Sequence, residues 1–572
     1  MSVEHRKTAG AVTENLYVTR SSSPLRPPLL EDMGFSRGQS LTHMENGSER
    51  ARVLLMVPPY TRIKRRAPES LGFWPEQTKR VGTPIGLLRL GTATQNAGYS
   101  VKVIDAAAEG FENETLLVPE MGMYRYGLAD EEITKRIMDF RPHVIGITAD
   151  YTCQWGNVRA LADLMKRIDS KIVVVLGGAH ATLDYKNALL DSAADYVVMG
   201  EGDRTFVELI KMLENREDNR QIRGIAFREN DFIRVTEERP FVSHLSELGV
   251  INYDLANLDL YSGPVHSGGK RQRDYGRCTC LFTSVGCNTR CRFCTIPIVN
   301  GPFRALDAEI LDSQLRHLIV RGVSEVILED DNLFHDPLWT LKVCELLKKH
   351  DVAWMEEGGL ALYALIALHL GKQAAGVLGS EYKKPLFERI RKAIEDGVTA
   401  AQVIKAMAES GCYSVYLAVE SANRNSLQIS GKPEANTLAE ITLEIIRLFK
   451  KHGIKVTGGF MLGFAGPDST GGAFAESEED VMNTFAYAKM LMDEGMDFAN
   501  PFIVTPLPGT PLGEWQMQFV RRDYDFFSHE LGVMDLPSLT AKRLEVLRAR
   551  MLLEINGETK VAEMLRTGSW PV

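Results

Sequence analysis

Two series of short apolar segments, each followed by a helical pattern, constrain the fold more than any other feature of the chain. The first series runs from RVLLMVPPY at Arg52 to ADYVVMGEG at Ala194, and the second runs from CTCLFTSVGC at Cys278 to DFANPFIVTPLPGT at Asp497. Strands that are apolar throughout, separated by helices, are typical of parallel sheets that helices cover. The chain is therefore predicted to be an α/β protein with two parallel sheets.

Changes in this pattern predict five regions. Residues 1–50 are polar and without periodicity, which predicts a disordered tail. Residues 51–205 hold the first sheet, an open one, and residues 206–275 form a linker with a small hairpin at the END turn. Residues 276–515 hold six strands, which predicts a partial or full barrel. Residues 516–572 are a C-terminal helical region, and irregular spacing in residues 359–411 predicts a helical insertion.

Composition narrows the class of protein. The 572 residues carry a net charge of -9, which gives no reason to expect a nucleic-acid partner. No apolar run is long enough to cross a bilayer, so no membrane partner is expected. Eight cysteines are too few for a disulfide framework, and three of them have metal-ligand spacing. We expect a cytoplasmic, reducing location.

The segment SVGCNTRCRFCTIP holds Cys287, Cys291 and Cys294 directly after the first strand of the second series. Thiolates bind zinc or iron–sulfur clusters. A structural zinc site requires four ligands, usually from two CxxC pairs, and no second pair exists. Three thiolates on a four-iron cluster instead leave one iron open to a substrate. The spacing therefore favours a cluster over zinc.

The carboxyl ends of the first series of strands carry small and polar residues. In open parallel sheets ligands bind at these ends, and glycines let a ligand lie close to the backbone. The predicted binding residues are Tyr60, Thr61, Thr148, Asp150, Tyr151, Gly177, Gly178, Gly200, Glu201 and Gly202.

The CxxxCxxC spacing after a first barrel strand resembles the signature of the radical S-adenosylmethionine (SAM) superfamily. The resemblance implies a [4Fe-4S] cluster on the three cysteines, with Phe293 near the adenine of SAM. It also implies SAM contacts from three further segments. These are Glu329, Asp330 and Asp331 after the second strand, Glu420 after the fourth, and Gly459 and Gly463 in GGFMLG. The Glu that usually follows the last motif is absent, because Gly466 stands at its position.

A flavodoxin-like domain before such a barrel resembles the cobalamin-binding domain of class B radical SAM methylases. No DxHxxG motif occurs, so the resemblance implies cobalamin without a histidine ligand, and Tyr60 or Thr61 could lie below the cobalt. The stretches AEGFENETLLVPEMGMYRYGLADEEI, EDDNLFHD and GGAHA resemble phosphonate C-methylases of the fosfomycin pathway. Similarity to that subfamily does not imply the same substrate.

The resemblance implies methylation of an unactivated carbon, or phosphorus, of a small molecule. One SAM would form methylcobalamin and another the 5′-deoxyadenosyl radical, with electrons from a flavodoxin- or ferredoxin-type donor. The alternatives are a cobalamin-dependent cyclase or oxidoreductase of the anaerobic chlorophyll-pathway type and, from a different class, a non-catalytic cobalamin- or zinc-binding sensor.

Overall fold

The computed structural model describes residues 50–64, 77, 79–215, 217–230, 232–261, 277–434, 438–468 and 472–567. The predicted tail, residues 1–50, lies outside the described residues except for Arg50. Most of the predicted linker, from residue 206 to residue 261, is described.

The first predicted sheet is present and has seven strands in the order β10-β9-β8-β7-β6-β1-β3. Its five parallel strands alternate with helices, and the hairpin β9–β10 continues the sheet in antiparallel pairing beyond residue 205. The strands are β1 (Arg52–Val57), β3 (Ser100–Asp105), β6 (Val144–Thr148), β7 (Val173–Gly177), β8 (Tyr196–Val198), β9 (Ile225–Glu229) and β10 (Phe232–Val235). Both faces of β1 are buried, as its uninterrupted apolar sequence requires.

Helices cover both faces of this sheet, and a small antiparallel sheet adjoins it. The helices are α1 (Ile85–Asn96), α2 (Ala106–Glu109), α3 (Asp130–Phe140), α4 (Trp155–Ile168), α5 (Ala179–Leu183), α6 (Tyr185–Leu190) and α7 (Gly202–Asn215). The small sheet consists of β2 (Tyr60–Ile63), β4 (Glu114–Val118) and β5 (Met123–Tyr126). Strand β2 begins just after β1, so the small sheet continues from the carboxyl end of the large one.

The second predicted sheet has six parallel strands in chain order. They are β11 (Arg277–Leu281), β14 (Val323–Leu328), β15 (Ala353–Ala361), β16 (Cys412–Glu420), β17 (Lys455–Leu462) and β20 (Phe498–Ile503). Two hairpins lie at its carboxyl edge: β12 (Ser284–Val285) with β13 (Arg304–Ala305), and β18 (Ala465–Pro467) with β19 (Ala473–Ala475). The parallel pairing brings all six strand ends to one edge.

The helices of the second half follow its strands. They are α8 (Ile296–Val299), α9 (Ala308–Val320), α10 (Pro337–Lys349), α11 (Leu362–Leu370), α12 (Ala374–Leu378), α13 (Glu388–Glu395), α14 (Ala400–Glu409), α15 (Arg424–Ser430), α16 (Ala439–Lys451), α17 (Glu478–Asp493), α18 (Pro511–Gln516), α19 (Ala541–Asn556) and α20 (Glu558–Thr567). Helices α11 to α14 occupy the region of the predicted insertion, and α11 is buried from Leu362 to Leu368. Within the described part of the chain, no helix has the length and apolar character needed to span a bilayer.

Candidate active site

The carboxyl ends of the two large sheets face one cavity of about 900 Å³. Its walls come from three parts of the chain: the first sheet, the six-stranded sheet and the segment after β20. That last segment reaches the first domain directly, since Tyr524 donates to Asp184 at 3.0 Å and Gln77 donates to Ser528 at 2.6 Å. The cavity is therefore enclosed between the domains, which limits its access to water.

Backbone contacts fix the cysteine loop beside this cavity. The amide of Cys287 donates to Gly301 at 3.0 Å, and the amide of Arg292 donates to Ser430 at 2.7 Å. The Arg292 carbonyl in turn accepts from Leu512 at 2.8 Å. The loop is thus held from three separate segments, so its thiols have a defined position before any ligand binds.

Of the three cysteines, Cys291 is buried and Cys287 and Cys294 are partly buried, a setting that suits a cluster. Burial raises the pKa of Cys291 to about 12, and the neighbouring Cys287 adds to the shift. Burial and the other two thiols also raise the pKa of Cys294. Among the described residues, no three His, Cys, Asp or Glu side chains are close enough to share one metal ion. A four-iron cluster takes one thiolate per iron and accepts a wider spacing.

A buried ion pair lies next to the loop. Glu420, at the end of β16, has a positive φ of 72°, which a non-glycine residue adopts rarely. Its carboxylate contacts the Lys432 ammonium at 2.8 Å. Burial opposes charge on Lys432, but Glu420 and the thiols of Cys291 and Cys287 outweigh it and raise the pKa of the ammonium. Lys432 therefore places a positive charge beside the thiols.

The three predicted acidic residues after β14 have different surroundings. Asp330 is fully buried and accepts from the Thr283 amide at 3.1 Å and the Thr283 hydroxyl at 2.8 Å. Asp331 lines the cavity and accepts from the amide of Gly286 at 2.6 Å. Glu329 lines the cavity with a long contact of 3.5 Å from the Cys280 thiol. Asp330 and Asp331 thus brace the entry to the cysteine loop, whereas Glu329 faces the cavity.

The predicted adenine-binding segment is also close to the loop. The Phe293 ring packs edge-on against Phe464, with ring centroids 6.1 Å apart. A Cβ at Gly459 would lie 2.2 Å from the Tyr416 hydroxyl oxygen, so only glycine fits there. Gly463 has a φ of 88°, a conformation that favours glycine. These contacts account for the glycines by packing, and their role in SAM binding stays a prediction.

Glu476 binds the segment after which the sequence motif lacks its glutamate. Its carboxylate accepts from the amides of Gly463 at 2.7 Å and Phe464 at 3.1 Å. The hairpin β18–β19 lies between Gly463 and Glu476. A search at fixed spacing therefore finds Gly466 instead, and a search for any later buried glutamate would have found Glu476.

Nine of the ten residues predicted on the first sheet line the cavity; Glu201 does not. Glu201 pairs with Arg304 at 2.9 Å and accepts from the Val242 amide at 2.9 Å, so it ties the first sheet to β13. At the centre of the predicted set, Gly178 has a φ of 99°, and a Cβ there would lie 2.4 Å from an Asp150 carboxylate oxygen. Only glycine leaves that part of the wall open.

His180 follows these glycines and has an unpartnered nitrogen. It is 2% exposed and lines the cavity. Its Nδ1 lies 3.2 Å from the Thr152 hydroxyl, while its Nε2 has no hydrogen-bond partner. Burial lowers its pKa to about 4, so the ring is neutral at physiological pH. An unpartnered buried nitrogen is costly unless a ligand satisfies it.

Two residues that sequence reasoning missed also line the cavity. Glu357 ends the buried part of β15, one strand away from Glu329, and Arg80 lies on the first domain. Burial raises the pKa of Glu357, Glu329 raises it further, and Arg80 opposes the shift. The repeated glutamate in MEEGG is the sequence signal that marks this position.

Comparison with known families gives two matches in the order of the two sheets. A B12 binding domain model matches residues 77–210, and a Radical SAM superfamily model matches residues 281–469. The chain is 26% identical over 521 residues to the cytidylyl-2-hydroxyethylphosphonate methyltransferase of Streptomyces wedmorensis, covering 85% of this chain and 86% of the relative. The chain thus combines a B12 binding domain with a radical SAM domain, the arrangement of cobalamin-dependent radical SAM methyltransferases, which it resembles.

The other proteins similar to this chain either cover less of it or share less sequence identity with it. An anaerobic magnesium-protoporphyrin IX monomethyl ester cyclase of Synechocystis is 28% identical, over 42% of either chain. The radical SAM methyltransferase TsrM of Kitasatospora setae has a similar fold, with a TM-score of 0.55 at 16% identity over 88% of this chain and 83% of TsrM. The cobalamin-dependent enzyme OxsB gives 0.53 at 14% identity, over 90% of this chain and 56% of OxsB. The predicted two-domain fold is confirmed.

The cofactors of this methyltransferase are cobalamin, a [4Fe-4S] cluster and SAM, and its residues fit them. Three thiols beside an interdomain cavity match a cluster with one open iron. The glycine wall at Gly178 and the unpartnered His180 nitrogen suit a large polar ligand on the first domain. The Lys432 ammonium, close to the thiols, suits an anionic group of SAM. Which individual residues contact each cofactor stays a prediction.

Proposed function

We propose that this methyltransferase replaces a hydrogen on an unactivated carbon of a small molecule with a methyl group. The observation that carries the proposal is the single cavity onto which the carboxyl ends of both large sheets open. That arrangement supports a substrate lying between the cysteine loop and the cobalamin domain. The phosphonate in the relative's name is not carried over, since the identity is 26%.

When bound, the cluster and cobalamin supply the radical and methyl-transfer chemistry. The chain positions and shields the reactants. Cys287, Cys291 and Cys294 hold the cluster, and Lys432 with Glu420 orients SAM by charge beside it. The segment containing Tyr524 closes the cavity against the first domain and excludes water.

The net reaction fixes the co-reactants. One C–H bond becomes a C–CH₃ bond, one SAM gives S-adenosylhomocysteine, and another gives methionine and 5′-deoxyadenosine. Two electrons are taken up, and we propose a flavodoxin- or ferredoxin-type protein as their source. A cyclase reaction is less well supported, because similarity to two such cyclases covers 42% and 67% of the chain, whereas similarity to the phosphonate methyltransferase covers 85%.

The test uses the full chain with cluster and cobalamin loaded, a chemical reductant and SAM labelled with deuterium in its methyl group. Candidate small molecules are added singly, and mass spectrometry measures a labelled methyl group in the product together with 5′-deoxyadenosine. We expect both products to appear together. Formation of neither 5′-deoxyadenosine nor S-adenosylhomocysteine by the reduced, loaded enzyme would refute the proposal.

A further inference from the structure

Two carboxyl groups in the cavity have no structural task. Asp330 and Asp331 brace the cysteine loop, but Glu329 receives only the long contact from Cys280. The Oε2 atom of Glu357 is inaccessible to solvent and has no hydrogen-bond partner. A buried acceptor left unpaired costs free energy, so this oxygen requires a partner that the described part of the chain does not supply.

The two carboxyls belong to adjacent strands of the six-stranded sheet. Residue 328, just before Glu329, is paired with residue 356, just before Glu357, in the register of β14 and β15. Both side chains therefore come from the same level of the sheet, at the edge where its strands end. This places the pair opposite the first domain, where a substrate must lie to reach both cofactors.

The surroundings allow this pair to hold one proton between its members. Burial raises the pKa of Glu357, and Glu329 raises it further, with Arg80 opposing. Burial likewise raises the pKa of Glu329, and Asp330 and Asp331 add to the shift. Like charges in a poorly solvated cavity cannot both ionise readily. Near neutral pH the pair thus offers one donor and one acceptor.

The charges elsewhere in the cavity select against an anion. Among the described residues of its wall, Arg89 already contacts Asp203 at 3.0 Å, and Arg62 contacts Glu114 at 2.5 Å. Carboxylates are more numerous along this wall than arginines. Arg80, the remaining arginine of the described wall, already acts on Glu357, so a phosphonate or carboxylate next to the pair would meet repulsion from the excess of carboxylates.

We propose that Glu329 and Glu357 bind a hydroxyl group of an uncharged, alcohol-bearing part of the substrate, next to the carbon that receives the methyl group. A hydroxyl can donate to one carboxyl and accept from the other, so it satisfies both at once. An ammonium can only donate, and a fully ionised phosphonate can only accept. This inference rests on the proposed function and adds the substrate class.

The binding test uses the full chain with cluster, cobalamin and SAM, and three probes of equal length: 1-propanol, propylammonium and propylphosphonate. Infrared difference spectra monitor the carbonyl stretch of protonated carboxyl groups. We expect 1-propanol to shift this band more than the other probes do. We expect Glu357→Gln and Glu329→Gln each to weaken the 1-propanol response at least tenfold. Glu345→Gln, an exposed glutamate paired with Lys342, serves as the matched control and should leave the response unchanged.

A second readout reports where the alcohol lies. With 1-propanol deuterated at C1, we expect the wild type to form 5′-deoxyadenosine that contains deuterium. We expect either Gln variant to form at least tenfold less of this deuterated product. An alcohol response equal in wild type and both Gln variants, or a stronger response to propylphosphonate, would overturn the inference. Circular dichroism establishes that each variant folds, and either variant alone suffices for the test. Loss of 5′-deoxyadenosine formation in the wild type, with and without probes, would instead count against the proposed function.

Discussion

Replacing Lys432 with methionine should destabilise the cluster-free chain strongly. The Lys432 ammonium contacts the Glu420 carboxylate at 2.8 Å, and their side chains are only 13% and 10% exposed. Methionine retains most of the apolar stem but leaves the carboxylate buried without its counter-ion. Breaking a buried ion pair in this way costs about 3–5 kcal/mol. The equilibrium constant for unfolding should therefore rise by at least about a hundredfold.

The assay is urea unfolding of the cluster-free protein, followed by fluorescence of Trp354, which is fully buried on β15. The matched control is Lys342→Met, because Lys342 forms an exposed pair with Glu345. Such surface pairs contribute about 0–1 kcal/mol. Working without the cluster keeps the cluster's own charge from adding to the effect of the substitution.

A double substitution separates lost pairing from lost packing. If the unpaired carboxylate causes the cost, Lys432→Met combined with Glu420→Gln should recover about 2 kcal/mol relative to Lys432→Met alone. A cost for Lys432→Met no larger than that of the Lys342→Met control would refute the reasoning, as would a double variant less stable than Lys432→Met alone.

Three further outcomes are expected. Cys291→Ala should abolish the iron–sulfur absorbance and 5′-deoxyadenosine formation but leave cobalamin uptake intact. The control Cys344→Ala, in the core, should retain the cluster. Iron content and visible spectra measure both outcomes. Gly178→Ala should weaken cobalamin binding at least tenfold, because its Cβ would lie 2.4 Å from a carboxylate oxygen. The control Gly376→Ala, whose Cβ would have no neighbour within 4 Å, should leave binding unchanged. Titration with cobalamin, followed by visible absorbance, measures both affinities. Burial raises the pKa of Glu476 from 4.5 to about 7, so this carboxyl stabilises the fold fully below pH 4.5 and loses that contribution as pH rises through 7. Glu476→Gln should remove about 3 kcal/mol of that pH dependence, measured by urea unfolding at several pH values, and an unchanged profile would contradict it.

Local sequence signals predicted the two sheets and the cysteine loop. A strand such as Arg52–Val57 is apolar throughout because both of its faces are buried, and the spacing of the three cysteines is a contiguous pattern. These features depend on residues close together in the chain. They could therefore be inferred without knowing the tertiary structure.

The rest of the site depends on residues that only the fold brings together. Glu476 reaches Gly463 across the hairpin β18–β19, and Lys432 reaches Glu420 from just beyond the end of α15. Glu357 gains its position from the register of two strands, which no single segment encodes. Glu201 shows the converse, since a strand-end position predicted a ligand contact but the side chain pairs with Arg304.

The wall formed by the segment around Tyr524 and Ser528 has a consequence for biosynthesis. Ribosomes synthesise the chain starting from its amino terminus, so the first domain can fold well before this segment emerges. The contacts of Tyr524 with Asp184 and of Gln77 with Ser528 then join the segment after the second sheet to the first domain. The cofactor chamber can close only once the segment around Tyr524 and Ser528 has been translated. Loading of the corrinoid and assembly of the cluster can thus precede closure, and truncated products would leave both exposed.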